Sequence, residues 1–421
     1  MTKKILILGA NAETIGLVET ARGMGLFTVV VDPDPTSPAK RIADLAYDAD
    51  ATNLEDIGQI IVREGISGVI VGVADSLVPY YQQICSEFGL PCYANEASVT
   101  ALCSKHNFAS FLKNNGLNGI PGYTVEDAKH FAREGLPHTL VIKPSDRGAG
   151  IGMSVCASAE HIGPAIDLAM SSSLGRQIMV ERYMECDDIF VYYTIIDGIP
   201  YLSATADRIK TKTQASLSQV CLAAQYPSKH TQRYLEEMNT AVARALGTLG
   251  IRYGVLLIQF FVDKTSFYAY DPGFRLQGEA PHLYLQHIFG LDQRKILLTL
   301  ALGQTMPRTH TMSLSDVWFN GYQATTFWIL LKAGTIGAIQ GLEAVSRLPG
   351  VIHVFRRLEV GNVIPDSWVG TEKQTLARVY TASHEESDRT RLAQEIADAL
   401  SVTTVSGEDM LLDLYRPEEI A

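Results

Sequence analysis

Long apolar runs are missing from this 421-residue chain: no window approaches the about 20 apolar residues that a bilayer-crossing helix needs. Cysteine is scarce. The six (85, 92, 103, 156, 186 and 221) form no CxxC and no metal-type spacing, so they read as reduced thiols packed in a core. Positive charge is in deficit. With 46 acidic against 35 basic residues the net charge is −11, which repels a nucleic-acid backbone and excludes general nucleic-acid binding. GxSxG, a plausible Cys/His nucleophile pair and the GxxxxGK[ST] phosphate loop are all absent. The short basic start is followed by a strand and Gly-Ala-Asn rather than by the apolar core of a secretion signal. These absences leave a soluble, cytoplasmic chain that contacts no membrane, long enough for two or three domains.

What is present begins with alternation. "KILILGA" reads as a buried parallel strand, "AETIGLVETARGMG" as a helix and "FTVVVDPDP" as a strand. "EDIGQIIVREG" with "ISGVIVGVAD", and "VPYYQQICSEFG" with "LPCYAN", repeat helix then strand. The pattern implies a doubly wound parallel sheet over residues 1–97. Gly9 to Gly16 lacks the middle glycine of GxGxxG, so this sheet is read as a scaffold and not as a dinucleotide site.

After residue 97 the pattern changes. "ASVTALCSKHNFASFLKNNG" reads as one helix with Lys105 near its middle. Strands such as "QIMVERYM", "DIFVYYTIID" and "IPYLSATAD" follow, with Asp197-Gly198 marking an antiparallel hairpin. "TQRYLEEMNTAVARALGTLG" reads as a long helix. From about 310, "ATTFWILLKAGTIGAIQGLEAV" and "DRTRLAQEIADAL" read as helical flanks of a mixed tail.

Chemistry concentrates in "LVIKPSDRGAGIGMSV". Glycines 148, 150 and 152 let backbone amides approach an anion, and Lys143 arrives on the strand just before them. Forty residues on, Glu181 stands at a strand end, whose backbone groups suit an adenine edge, and Asp188 is a carboxylate suited to ribose hydroxyls. Gln259 and Asp271 lie on consecutive strands where their oxygens can converge on a magnesium ion. Arg275 follows four residues later, a charge for a transferring phosphoryl or acyl group.

The order of Lys105, "VIKP" with its glycine loop, "VERYM", "IQFF" and "DPGFR" resembles the ATP-grasp superfamily, and within it the carbamoyl-phosphate-synthase-like carboxylate–amine ligases, including amino-acid ligases. The likeness implies an α/β chain of three parts: a pre-ATP-grasp Rossmann-like domain (1–97), an ATP-grasp domain (98–310) of two α+β subdomains clamping ATP with a lid at about 120–184, and a C-terminal α+β domain (311–421). It implies Lys105 and Lys143 on the phosphates, with Arg147, Gly148, Gly150 and Gly152 in the loop over them. Glu181, Arg182, Tyr183 and Met184 would then hold the adenine and Asp188 the ribose. Lys210 or Lys212, between which the sequence does not choose, would reach the γ-phosphate or a substrate carboxylate. Gly278 and His282, in the "GEAPH" run, would wall the substrate, with His287 a further candidate.

The chain departs from the family pattern. Gln259 and Asp271 stand where the pattern has Glu, and Gly273 where it has Asn. One acidic metal ligand survives, so a magnesium ion, or Mn2+ as the alternative, would lean on water and phosphate oxygens. Three functions stay open. The first is an ADP-forming ligase joining a small carboxylate to an amine. The second is a carboxylase-type relative using bicarbonate, and the third a nucleotide-binding protein with little turnover. Apolar faces on the N-terminal sheet are compatible with a homodimer.

Overall fold

The computed structural model describes residues 2–146, 151–211, 220–305, 314–412 and 414–415. Four parallel strands form the first sheet, in the order Leu45–Tyr47, Phe27–Val31, Lys4–Leu8 and Gly68–Val71. The two central strands are the apolar runs KILIL and FTVVV, buried on both faces as a helix-covered parallel sheet requires. Helices Ile15–Gly23, Leu54–Glu64 and Val78–Glu87 connect them. Asn53 caps the second through the Asp56 amide, and Gly65 ends it at φ +62°.

"LPCYAN" is not a strand, contrary to the expectation from its pattern; the fourth strand is Leu45–Tyr47 instead. Pro91 has no N–H to offer a ladder. The Tyr93 amide donates to the Tyr81 hydroxyl, and the Tyr93 ring meets Phe274 edge-on at 5.2 Å. The segment is a brace between the N-terminal sheet and the strand pair carrying Asp271.

The expected helix around Lys105 is two helices, Glu96–Leu102 and Lys105–Asn114. Ser104 caps the second by accepting from the Asn107 amide, which puts Lys105 at the first helical position rather than mid-helix. The expected long helix likewise divides at Met238 into Thr231–Glu237 and Asn239–Gly247.

Residues 122–182 build a separate four-stranded antiparallel sheet, in the order Gly122–Tyr123, Ile178–Arg182, Leu140–Pro144 and Ser154–Cys156. Helices Val125–Glu134 and Ile162–Ser172 close it around a small core containing Leu140, Ile142, Ile162 and Val180.

The largest sheet has eight strands and is antiparallel throughout. Its order is Phe267–Gly273, Gly254–Val262, Asp187–Ile196, Ile199–Lys210, Cys221–Tyr226, Gln323–Leu330, Thr375–Ser383 and Val351–Arg356. The hairpin at Asp197 and Gly198 turns with positive φ at both residues. Three strands from beyond residue 311 extend this sheet, so the segments 98–310 and 311–421 share it.

"ATTFWILLKAGTIGAIQGLEAV" is therefore not helical. It holds the strands Gln323–Leu330 and Gly334–Gln340 and one short helix, Leu342–Ser346. A strand buried on both faces has apolar residues at every position and loses the alternation that marks a strand. Its β-branched and aromatic content was the better signal. "DRTRLAQEIADAL" is a helix, Ser387–Ala399.

Gly68 opens the strand Gly68–Val71 against the end of helix Gln293–Ala301, and a Cβ built there would lie 2.0 Å from the Ala301 carbonyl oxygen. Gly68→Ala is expected to cost about 1–3 kcal/mol from overpacking against rigid backbone. A lowered urea midpoint for this variant, with none for Gly163→Ala, where nothing lies within 4 Å, is the check.

Candidate active site

Asp188 is the centre of the site. It enters on the strand Asp187–Ile196, in the middle of the large sheet, and its carboxylate is fully buried. Arg208 Nη1 reaches Oδ2 at 2.9 Å and Lys210 Nζ reaches the same oxygen at 3.1 Å. Both come from the neighbouring strand, whose alternation puts residues 208 and 210 on one face. The Tyr270 hydroxyl donates to Oδ1 at 2.9 Å. Burial disfavours charge on Arg208, but the Asp188 carboxylate outweighs it and holds the guanidinium well above its ordinary pKa. Asp188, with no exposed lone pair, anchors basic side chains in this conformation and does not face a ribose.

The network continues through Tyr270 to the two expected metal residues. Its hydroxyl lies 2.7 Å from Gln259 Oε1, and Gln259 Nε2 lies 3.3 Å from Asp271 Oδ2. Lys105 Nζ approaches Asp271 Oδ1 to 3.6 Å. Burial, then the nearby Asp188 charge, raise the Tyr270 pKa well above normal, so the phenol keeps its single proton while facing two acceptors. A half-turn of the Gln259 amide resolves the conflict. Nε2 then donates to the Tyr270 oxygen, Tyr270 gives its proton to Asp188, and the amide oxygen turns to Asp271 Oδ2. Two facing oxygens repel unless a cation sits between them, so Gln259 and Asp271 fit a hard divalent ion. Among the described residues no group of three or more His, Cys, Asp and Glu side chains could hold a metal, so most ligands of such an ion would be phosphate and water oxygens.

On the separate small sheet, Lys143 Nζ pairs with Glu181 Oε2 at 2.5 Å. The strands carrying them are neighbours, Lys143 opposite Met179 and Val141 opposite Glu181. The amides of Arg182 and Tyr183 donate to the carbonyls of Pro121 and Thr139 at 2.9 Å each, so these two N–H groups are committed and cannot serve an adenine. A cavity of about 610 Å³ lies beside the Asp188 network, lined by Tyr183, Met184, Arg208, Lys210 and, from the C-terminal segment, Arg389 and Tyr415. That is room for a nucleotide-sized ligand.

Gly152 adopts φ +69°, and a Cβ there would come within 2.5 Å of Ser172 and 2.9 Å of Pro144, so only glycine lets the chain pack there. Arg147, Gly148, Gly150 and Lys212 lie outside the described residues.

Arg275 stands at the far end of the strand pair. Its Nη2 pairs with Asp75 Oδ2 at 2.5 Å, and its Nη1 donates to the Leu276 carbonyl and Gln277 Oε1, both at 3.0 Å. Asp75 follows the strand Gly68–Val71, so the N-terminal sheet orients this arginine directly. Where the family pattern has Asn, a Cβ on Gly273 would lie 3.0 Å from Gln277 Oε1 and 3.5 Å from Asp75 Oδ1: the missing ligand's space is taken by these two oxygens. Gly278 lets its loop approach Glu13, and its carbonyl accepts from Arg378 Nη1 at 2.6 Å.

His282 is 6% exposed, and burial holds its pKa well below the usual histidine value, so it is a neutral ring at a helix start and offers no charge to a carboxylate. His287 packs edge-on against Tyr322. Sequence reading missed Arg208, Tyr270, Asp75, Glu13, Glu372 and Arg378. Arg208 was the findable one, since it shares the strand face of Lys210.

Comparison with known proteins places this geometry. Residues 122–269 match the family described as D-ala D-ala ligase C-terminus. The chain is 22% identical over 342 residues to the carbamoyl phosphate synthase large chain of Micrococcus luteus, covering 76% of this chain and 30% of that one. It is 25% identical over 389 residues to an ATP-grasp enzyme of Aspergillus fumigatus, covering 81% and 66%. The chain thus spans less than a third of the first relative and just under two thirds of the second. Among solved structures, an L-amino acid ligase from Bacillus licheniformis superposes with a TM-score of 0.74 at 18% identity, covering 96% of this chain and 99% of that one. The biotin carboxylase domain of the Hydrogenobacter thermophilus 2-oxoglutarate carboxylase, in complex with MgADP and bicarbonate, superposes with a TM-score of 0.77 at 18% identity, covering 98% and 92%. No helix among the described residues is long and apolar enough to cross a membrane.

Removing Asp188 would strand two largely buried cations. Asp188→Ala is expected to destabilise the protein by about 3–5 kcal/mol, the cost of breaking a buried pair by losing one partner. Arg347→Ala, which deletes an ion pair whose side chains are 74% and 80% exposed, should stay within about 0.5 kcal/mol of wild type. Urea unfolding of the two variants side by side is the measurement.

Proposed function

We propose that this chain, which has the ATP-grasp fold, is an ADP-forming ligase that activates a substrate carboxylate as an acyl phosphate and joins it to an amine. One observation carries the reading. Lys105, Asp271, Gln259, Tyr270, Asp188, Arg208 and Lys210 form one connected polar network, an array suited to a polyphosphate with its counter-ion.

Lys105 and Lys143 hold phosphate oxygens, Lys143 exchanging its Glu181 partner for the nucleotide. Magnesium, held by Asp271 and the Gln259 amide oxygen, neutralises charge on the phosphates. The substrate carboxylate attacks the γ-phosphorus and ADP leaves. Arg275 then steadies the oxyanion that forms when the amine adds to the acyl phosphate. Asp75 keeps that guanidinium charged: burial opposes the charge, and the Asp75 carboxylate more than offsets it. Lys210 stays on Asp188, three donors on one ammonium leaving hydrogens for a phosphate oxygen. The small sheet of residues 122–182, with its own core, acts as the lid that excludes water from the acyl phosphate.

The solved likeness to a biotin carboxylase domain keeps bicarbonate in view as the alternative first substrate. The test is ADP release across pooled carboxylic acids and amines, with a bicarbonate-only arm. The ligase reading expects release that needs both an acid and an amine, reduced at least about 100-fold in Lys143→Ala and Arg275→Ala. MgADP binding should survive in Arg275→Ala. Release with bicarbonate alone would contradict it.

A further inference from the structure

Glu279 lies four residues after Arg275, in the loop that leads from the Asp271 strand to the helix His282–Phe289. Its Oε2 is closed off from solvent and has no hydrogen-bond partner among the described residues. The charged groups around it are otherwise matched. Asp75 holds Arg275 at 2.5 Å. Glu13 holds Arg357 at 3.1 Å and Arg378 at 3.3 Å, and Glu372 holds Arg378 at 2.9 Å. Three carboxylates thus meet three guanidinium groups, and Glu279 is a fourth carboxylate left over. Arg275, Glu372 and Arg378 are the charged groups that face it. The Gly278 carbonyl, one residue before, is fixed by Arg378 Nη1 at 2.6 Å, so the loop holds its place without the Glu279 side chain.

A solvent-excluded carboxylate oxygen with no donor costs free energy unless it is protonated or meets a cation. Burial raises the Glu279 pKa, which makes the carboxylate a stronger proton acceptor once ionised. The surplus charge in this patch is negative, so the missing complement is cationic, and it lies next to the arginine proposed to meet the acyl group.

We propose that Glu279 receives the primary ammonium group of the amine substrate and takes its proton. This rests on the ligase reading above. The substrate ammonium gives one proton to Glu279 Oε2, and the freed lone pair attacks the acyl phosphate carbonyl carbon. The N–C bond forms, and the C–O bond to phosphorus breaks with its electron pair leaving on the phosphate. The nitrogen's second surplus proton leaves with that phosphate, and Glu279 returns its own proton to solvent. Atoms and charge balance as acyl phosphate plus ammonium giving amide, hydrogen phosphate and one proton.

Hydroxylamine separates this role from the rest of the machinery. It is neutral near pH 7, so it captures an acyl phosphate as hydroxamate with no ammonium to bind or deprotonate. The full-length protein, with MgATP and pooled L-amino acids, is assayed for ADP release without and with hydroxylamine, as wild type and as Glu279→Gln. The variant is expected to lose about 100-fold or more of its amino-acid-dependent ADP release, the usual worth of a positioned proton acceptor. Its hydroxamate formation and MgADP binding should remain within about threefold of wild type. Equal losses in both assays, or none in either, would overturn the proposal. Glu279→Asp, which keeps the charge but shortens the reach, should recover part of the amino-acid-dependent rate, and a variant no better than Glu279→Gln would count against it. ADP release absent in the wild type under every condition would instead sink the ligase reading itself.

Discussion

A single buried carboxylate organises the middle of this protein. Asp188 sits where the central strands of the large sheet would otherwise be apolar, and the cost of placing a charge there is offset only because three partners converge on it. Two are cations on one face of the adjacent strand and the third is a phenol from the strand two places away. Their geometry fixes where Arg208 and Lys210 stand, and Tyr270 carries the constraint on to Gln259 and Asp271. The node fixes the relative positions of the proposed phosphate-binding and metal-binding groups. It does so from the stiffest part of the fold, a strand buried from Asp188 to Ile195.

From this node the charged side chains run in two directions. Toward the first helix of the central region they reach Lys105 through Asp271. Toward the C-terminal strands Arg208 faces Glu372, which joins Arg378 and Glu13. The second branch needs all three segments of the chain: Glu13 from the N-terminal sheet, Gly278 from the loop after Asp271, and Arg357, Glu372 and Arg378 from beyond residue 311. The N-terminal sheet, read from sequence as a scaffold, is thus also a source of site residues, through Glu13 and Asp75.

What was legible in the sequence was local. The order of Lys105, Lys143, Glu181, Asp188, Gln259, Asp271 and Arg275 follows the family pattern, and strands with clear alternation or turn signals fell where expected. What was not legible depended on long-range contact. The run around Trp328 looks helical because burial on both faces erases the two-residue period. Asp188 looks like a ribose ligand until Arg208, Lys210 and Tyr270 are brought onto it from strands 20 and 82 residues away. Asp75 and Glu13 carry no local mark at all, because their partners lie 200 or more residues distant. The departures at Gln259 and Gly273 were visible as changed letters. Their consequence, an amide facing Asp271 and a space filled by Gln277 and Asp75, needed the fold.

The central claim is that the Asp188 network presents Asp271 and the Gln259 amide oxygen to a divalent ion carried by a nucleotide. Its most direct test is a crystal structure grown with Mn2+ and a non-hydrolysable ATP analogue, with Mn2+ located by anomalous scattering. The account predicts an anomalous peak bonded to an Asp271 oxygen and the Gln259 amide oxygen, with Tyr270 donating to Asp188 and phosphate oxygens completing the ion's shell. Ordered nucleotide with its Mn2+ elsewhere, and Gln259 Nε2 still turned toward Asp271, would contradict it.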